Sequence, residues 1–125
     1  MEKIPGEAKS RIVPQSCEKS QQAILHFRVK DTQANKTWVE INLETGRTHQ
    51  IRLQLSHFGH PILGDSLYGS TFEFGPKTFD IRKRWIALHA RQLGFVHPIS
   101  KQPIEVVASL PHHWNSFSFE FAGTP

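Results

Sequence analysis

The sequence is short of several things that would steer its function. It has a single cysteine, Cys17, among 125 residues. One thiol cannot close an internal disulfide, and it cannot build a cysteine-based zinc cage. A reducing compartment fits that usage. No apolar run approaches the ~20 residues that span a bilayer. Residues 1–16, MEKIPGEAKSRIVPQS, hold no apolar core of the ~7–15 residues that a secretory leader carries. The expectation is a soluble, cytoplasmic protein with no membrane partner. Collagen-like and coiled-coil compositions are missing too. What is present suffices for a folded domain: 38% of residues are hydrophobic, 10% aromatic and 21% charged. Lys and Arg number 15 against 11 Asp and Glu, a net charge of +4, with eight His uncounted. That balance favours an anionic partner. The length matches one domain of about 100–150 residues.

Residues 1–21 are polar, mix both signs of charge, and are interrupted by Pro5, Gly6 and Pro14. They read as a loose arm. From Ala23 the apolar period is two: Ala23, Leu25, Phe27 and Val29 alternate with polar neighbours, which predicts a half-buried strand. Residues 31–36, DTQANK, read as a turn. Val39, Ile41 and Leu43 form one face of a second, antiparallel strand. A helix is expected over roughly 48–58, capped by Thr48 or Thr45, with Ile51, Leu55 and Phe58 on its apolar face. Gly59 and Pro61 end it. Leu93–Val96 and Ile104–Ala108 read as strands around the hairpin loop HPISKQP. Trp114, Phe117, Phe119 and Phe121 are expected to close the core. The fold class is α+β, with a mixed, largely antiparallel sheet and one well-defined helix. Residues 22–121 form the domain body, and 122–125 a tail.

The densest chemistry is the run Thr45-Gly46-Arg47-Thr48-His49-Gln50-Ile51-Arg52. It places a strand end and a glycine turn before a helix N-terminus, where unpaired N–H groups attract anions. Gly46 permits close backbone approach. Arg47 and Arg52 add two charged forks suited to phosphate or carboxylate. His49 and Gln50 add further donors and acceptors. An anion site and a solvated helix start both remain open on these residues alone.

The stretch INLETGRTHQIRLQLSHFGHPILGDSLYG, residues 41–69, resembles the RluA-type branch of RNA pseudouridine synthases. That branch carries L-x-T-G-R-T-H-Q-I-R and then G-H-P-I-x-G-D-x-x-Y-G. Residues 88–114, LHARQLGFVHPISKQPIEVVASLPHHW, are similar to its closing stretch. The resemblance covers roughly residues 20 to 115.

The resemblance implies an isomerase that breaks the N1–C1′ bond of uridine in RNA and rejoins the ring through C5. It implies a flipped nucleotide, no metal or organic cofactor, and rRNA or tRNA as partner. Arg52 matches the basic residue that pairs with the essential Asp and holds it ionised. Gly46, Arg47, Thr48, His49 and Gln50 are candidates for the wall that handles RNA. Tyr68 matches a further position, where packing is as good an account as RNA contact. The family's H-R-L-D segment is not found: the only aspartates are Asp31, Asp65 and Asp80, and none lies in such a context. The chain therefore reads as a C-terminal portion of a catalytic domain, inactive alone, with a missing N-terminal half or a second copy as partner. The alternative is a non-catalytic RNA-binding remnant. Outside the main block, Arg82-Lys83-Arg84 either tracks phosphates or is a solvated loop. His57/His60 and His112/His113 lack the Cys or carboxylate company of a metal site.

Overall fold

The computed structural model describes residues 1–7 and 9–121; the tail expected at 122–125 lies outside the described residues. The chain divides into two compact units, the first ending at Ala87 and the second beginning at Leu88.

The first unit starts with a small closed loop rather than the loose arm expected over 1–21. Strand β1 (Glu2–Lys3) pairs antiparallel with β2 (Ser10–Arg11). Arg11 reaches back with Nε and Nη2 to Glu2 Oε2 at 3.0 and 2.9 Å. The Gln21 N–H donates to the Met1 carbonyl at 2.8 Å, tying the far end of the segment to its start. Polarity misled the reading here, because the anchor is a backbone group: Ser10 is 2% exposed.

Strand β3 (Leu25–Gln33) and β4 (Lys36–Leu43) form an antiparallel hairpin. It is longer than periodicity predicts. Asp31, Thr32 and Gln33 pair with Trp38, Thr37 and Lys36, so the turn shrinks to Ala34 and Asn35, and Ala34 takes φ 50°. The register slips between Val29 and Asp31, a bulge that increases local twist. Arg28 lies opposite Glu40 and pairs with it at 2.7 Å. The face expected to be half buried is open: Phe27 is 60% exposed. No layer covers it among the described residues.

Helix α1 spans Gln50–His57. It starts two residues later than expected, and its N-cap is His49 with φ 55° rather than a threonine. Its buried positions are Gln50 and Leu53, not the expected Ile51/Leu55/Phe58 stripe, and Phe58 is 73% exposed. The C-terminus follows the sequence signal. Gly59 takes φ 84°, the Gly59 N–H donates to Ser56 and the His60 N–H to Leu55, a left-handed helix stop. A turn then leads through Gly64 (φ 83°) into a 3-10 turn at Ser66–Tyr68. The buried apolar side chains, among the described residues, are Leu53, Ile62 and Tyr68. They lie on α1 and this turn.

The second unit is a hairpin of β5 (Gln92–Val96) and β6 (Pro103–Val107), followed by a 3-10 turn at His112–Ser116. His97 Nδ1 closes its loop by accepting from the N–H groups of Ile99 and Ser100, both at 3.1 Å. The C-terminal aromatics touch one another, with Trp114 edge-on to Phe117 and Phe121 at 5.7 and 5.9 Å between ring centres, but Trp114, Phe117, Phe119 and Phe121 are only half-buried and do not close a core as expected. His89 is edge-on to Trp114 and its Nε2 lies 3.1 Å from the Ala108 carbonyl.

The class is α+β. The expected single sheet is not found. The described residues form separate two-stranded antiparallel ladders, β1–β2, β3–β4 and β5–β6. Each of these ladders, among the described residues, keeps edges that no further strand pairs.

Candidate functional site

The TGRTHQIR segment begins where β4 ends, and Gln50 fixes its path. Gln50 is 3% exposed. Its Oε1 accepts from the Thr45 hydroxyl at 2.8 Å and the Arg47 N–H at 3.0 Å, and its Nε2 donates to the Ile24 carbonyl at 3.1 Å. Thr45 Oγ1 in turn accepts from the Ile24 N–H at 2.7 Å. Gln50 thus bolts the helix start to the root of the β3–β4 hairpin. It was expected to shape a substrate wall; its amide is already used on the protein.

The other expected residues divide into two groups. Gly46 is exposed, and a Cβ there would face open space. Arg47 is exposed and donates from Nε to the Gln22 carbonyl at 3.0 Å. The Thr48 carbonyl accepts from the Ser10 hydroxyl at 3.1 Å. These three lie along the entry to α1. His49, Arg52 and Tyr68 instead meet one another. His49 Nδ1 is 2.9 Å from the Tyr68 hydroxyl, and the Arg52 guanidinium carbon sits 5.1 Å from the Tyr68 ring centre. Cation and ring face at that range attract.

Arg52 has a carboxylate partner. Its Nε and Nη2 donate to Asp65 Oδ2 and Oδ1, both at 2.8 Å. The pair is the bidentate fork that suits guanidinium and carboxylate. Asp65 is 1% exposed, and the Arg52 side chain 20%. The Asp65 hydrogen bond, ahead of the opposing cost of burial, pushes the Arg52 pKa above its ordinary value. The pKa of His49 is lowered, first by burial and then by the Arg52 charge, with Asp65 opposing. His49 is therefore neutral at pH 7. A consistent assignment has the Ser10 N–H donate to the Tyr68 oxygen at 3.0 Å while the Tyr68 O–H donates to His49 Nδ1.

His49 holds its place at a backbone cost. A non-glycine residue at φ 55° is disfavoured, and such residues concentrate at functional sites. Beside Tyr68 runs an open groove of ≈ 650 Å³ whose lining includes Lys9, Ser10, Arg11, Leu53, His57 and Gly69. Its basic rim suits an anionic ligand.

Two participants escaped the sequence reading. Ser10 lay in the supposed arm and gave no signal, because its key group is a backbone N–H. Asp65 did give one: it stands in the G-D-x-x-Y-G block three residues before Tyr68. Among the described residues, no group of three or more His, Cys, Asp or Glu could hold a metal ion, and no helix is long and apolar enough to cross a membrane.

Comparison with known proteins gives the family. The family model described as RNA pseudouridylate synthase matches residues 2–57. The match begins inside the segment read as an arm, upstream of the resemblance seen in the sequence. An uncharacterised RNA pseudouridine synthase of Synechocystis is 41% identical over 112 residues, covering 88% of this chain and 32% of that protein. Ribosomal large subunit pseudouridine synthase D of Xylella fastidiosa is 34% identical over 114 residues, covering 86% of this chain and 34% of that protein. An uncharacterised RNA pseudouridine synthase of Chloroflexus aurantiacus is 44% identical over 86 residues, covering 69% and 25%. The chain thus spans about a third or less of the length of these curated relatives. With its TGRTHQIR and GDxxYG blocks meeting at one buried ion pair, the chain belongs to the RluA-type family of RNA pseudouridine synthases.

Proposed function

We propose that this chain forms the arginine-bearing part of an RNA pseudouridine synthase site and handles uridine in structured RNA. The observation that carries the reading is the convergence of Arg52, Tyr68 and His49 from two sequence blocks onto one partly buried spot. Ribosomal RNA is the favoured substrate, because the Xylella relative is named for the ribosomal large subunit. The work is done in the cytoplasm and needs no metal or organic cofactor.

The isomerisation breaks N1–C1′ and makes C5–C1′. N1 takes up a proton and the hydrogen on C5 leaves to solvent, so the formula is unchanged. An ionised aspartate starts the reaction, and Arg52 holds it charged and oriented. Neither Asp31 nor Asp80 stands near Arg52 in the hydrogen-bond network, and Asp65 is shielded from solvent. The attacking carboxylate is therefore supplied from outside these residues, by a further segment of the enzyme. Alone, this chain binds RNA without turning it over. The open Phe27 face of the β3–β4 hairpin suits the docking of that further segment.

The test is release of tritium from RNA labelled at C5 of uridine. The chain alone is expected to release none above background. Turnover by it would falsify the requirement for an outside carboxylate. A chain that neither reacts nor binds RNA would defeat the assignment of an RNA site as well.

A further inference from the structure

We propose that Asp65 is a positioning residue for Arg52: it grips one edge of the guanidinium so that the other edge faces a second oxyanion. The inference rests on the reading of Arg52 as the arginine of the site.

Planar guanidinium chemistry sets the geometry. The Asp65 fork uses Nε and Nη2, the side-on edge. That leaves the end-on edge, where Nη1 and the outer hydrogen of Nη2 form a second parallel pair of donors. No described residue bonds to Nη1. The plane is further set by the Tyr68 ring, 5.1 Å from the guanidinium carbon.

Asp65 is itself held by a turn with little freedom. Its N–H donates to the Ile62 carbonyl at 3.0 Å, and its carbonyl accepts from the N–H groups of Tyr68 and Ser70 at 3.2 and 3.0 Å. Just before it, Gly64 has φ 83°, and a Cβ there would collide with the Trp85 carbonyl oxygen. The carboxylate is thus presented from a fixed frame. Stability alone accounts poorly for this arrangement. A buried ion pair is commonly no better for stability than apolar side chains of equal size. Orientation accounts for it directly, because a two-edged cation fixed on one side has a defined direction on the other. The second oxyanion is a carboxylate of the enzyme or a phosphate of the RNA, which share the same two-oxygen fit.

The experiment uses the full chain labelled with nitrogen-15, together with Asp65→Asn, Asp65→Glu, Arg52→Gln, Arg52→Lys and the double variant D65N/R52Q. Two quantities are read: solvent exchange of the Arg52 Nε–H, and affinity for a uridine-containing RNA hairpin. Asp65→Asn keeps the shape but loses the charge, and should speed Nε–H exchange by about tenfold or more. Asp65→Glu should recover part of that loss. R52Q and D65N should weaken RNA binding by similar factors, and D65N should cost nothing further in the R52Q background. If D65N unfolds the chain, Arg52→Lys serves instead. It keeps the charge opposite Asp65 but has no second edge, so its RNA affinity should match R52Q. Titrating the labelled chain with the RNA hairpin and, separately, with sodium acetate distinguishes the two oxyanions: a chemical-shift change at Arg52 with RNA alone names phosphate, and one with acetate alone names carboxylate. Additive losses in the double variant, or an unchanged exchange rate in D65N, would overturn the proposal. Faster exchange in D65N with RNA affinity indifferent to R52Q would uphold the orientation and defeat Arg52 as an RNA-site residue.

Discussion

Replacing Tyr68 with phenylalanine removes one oxygen and leaves the ring. The oxygen takes the Ser10 N–H at 3.0 Å and faces His49 Nδ1 at 2.9 Å. Ser10 is 2% exposed, so its N–H has no water to turn to. An unsatisfied buried donor of this kind costs about 1–3 kcal/mol. His49 is only partly buried, and water can replace its lost partner, so that bond adds about 0.5–1 kcal/mol. The ring contact with the Arg52 guanidinium survives. The expected loss is about 1.5–4 kcal/mol, a large share of typical domain stability. A urea titration followed through the amide signals of α1 should show a lower midpoint at unchanged slope. The Ser10 amide should lose most of its protection from hydrogen exchange. A change below about 0.5 kcal/mol would refute the reasoning, because it would mean the Ser10 N–H is solvated and the β1–β2 loop is not seated on Tyr68.

Two glycines with similar backbone angles should respond differently to alanine. Gly59 (φ 84°) faces open space and should cost about 1 kcal/mol in Gly59→Ala, whereas Gly64 (φ 83°) meets the Trp85 carbonyl and should cost about 3 kcal/mol or more in Gly64→Ala. Equal losses on urea denaturation would mean the Gly64–Trp85 approach is not fixed. The lowered pKa of His49 sets a pH dependence whose sign is definite: below the ordinary 6.5 the unfolded chain takes up the proton first, so stability falls as pH drops through that value. Proton NMR should show His49 titrating below 6.5 in the folded chain, and Arg52→Gln should move it upward by removing one of the lowering charges. A His49 that titrates at or above 6.5 would break the argument.

Much of the local fold was legible where a short-range rule dominates. The Gly59-x-Pro61 stop, the β5–β6 hairpin around its polar loop and the pairing of the two early strands follow from turn chemistry and period. The failures share a cause: they depend on what lies across space. Phe27 and Phe58 were placed inside by periodicity, yet are exposed because no described element covers them. The hydrogen bonds of Gln50 to Ile24, Thr45 and Arg47 are apparent only once the hairpin root abuts the helix. The anchor of the 1–21 segment is a main-chain donor, which composition does not show. The motif blocks did identify Arg52, His49 and Tyr68 as candidates. That they converge, and that Asp65 joins them, required the turn that carries Gly64 and Asp65 back against α1.

The central claim is that RNA meets this chain at the spot where those blocks converge. Titrating the nitrogen-15 chain with a uridine-containing RNA hairpin tests it most directly. The account predicts shifts centred on Gly46–Arg52 and Tyr68, fading as salt is raised because phosphate contacts release counterions. Shifts confined to Arg82–Arg84 or to the second unit, with Arg52 and His49 unmoved, would contradict it.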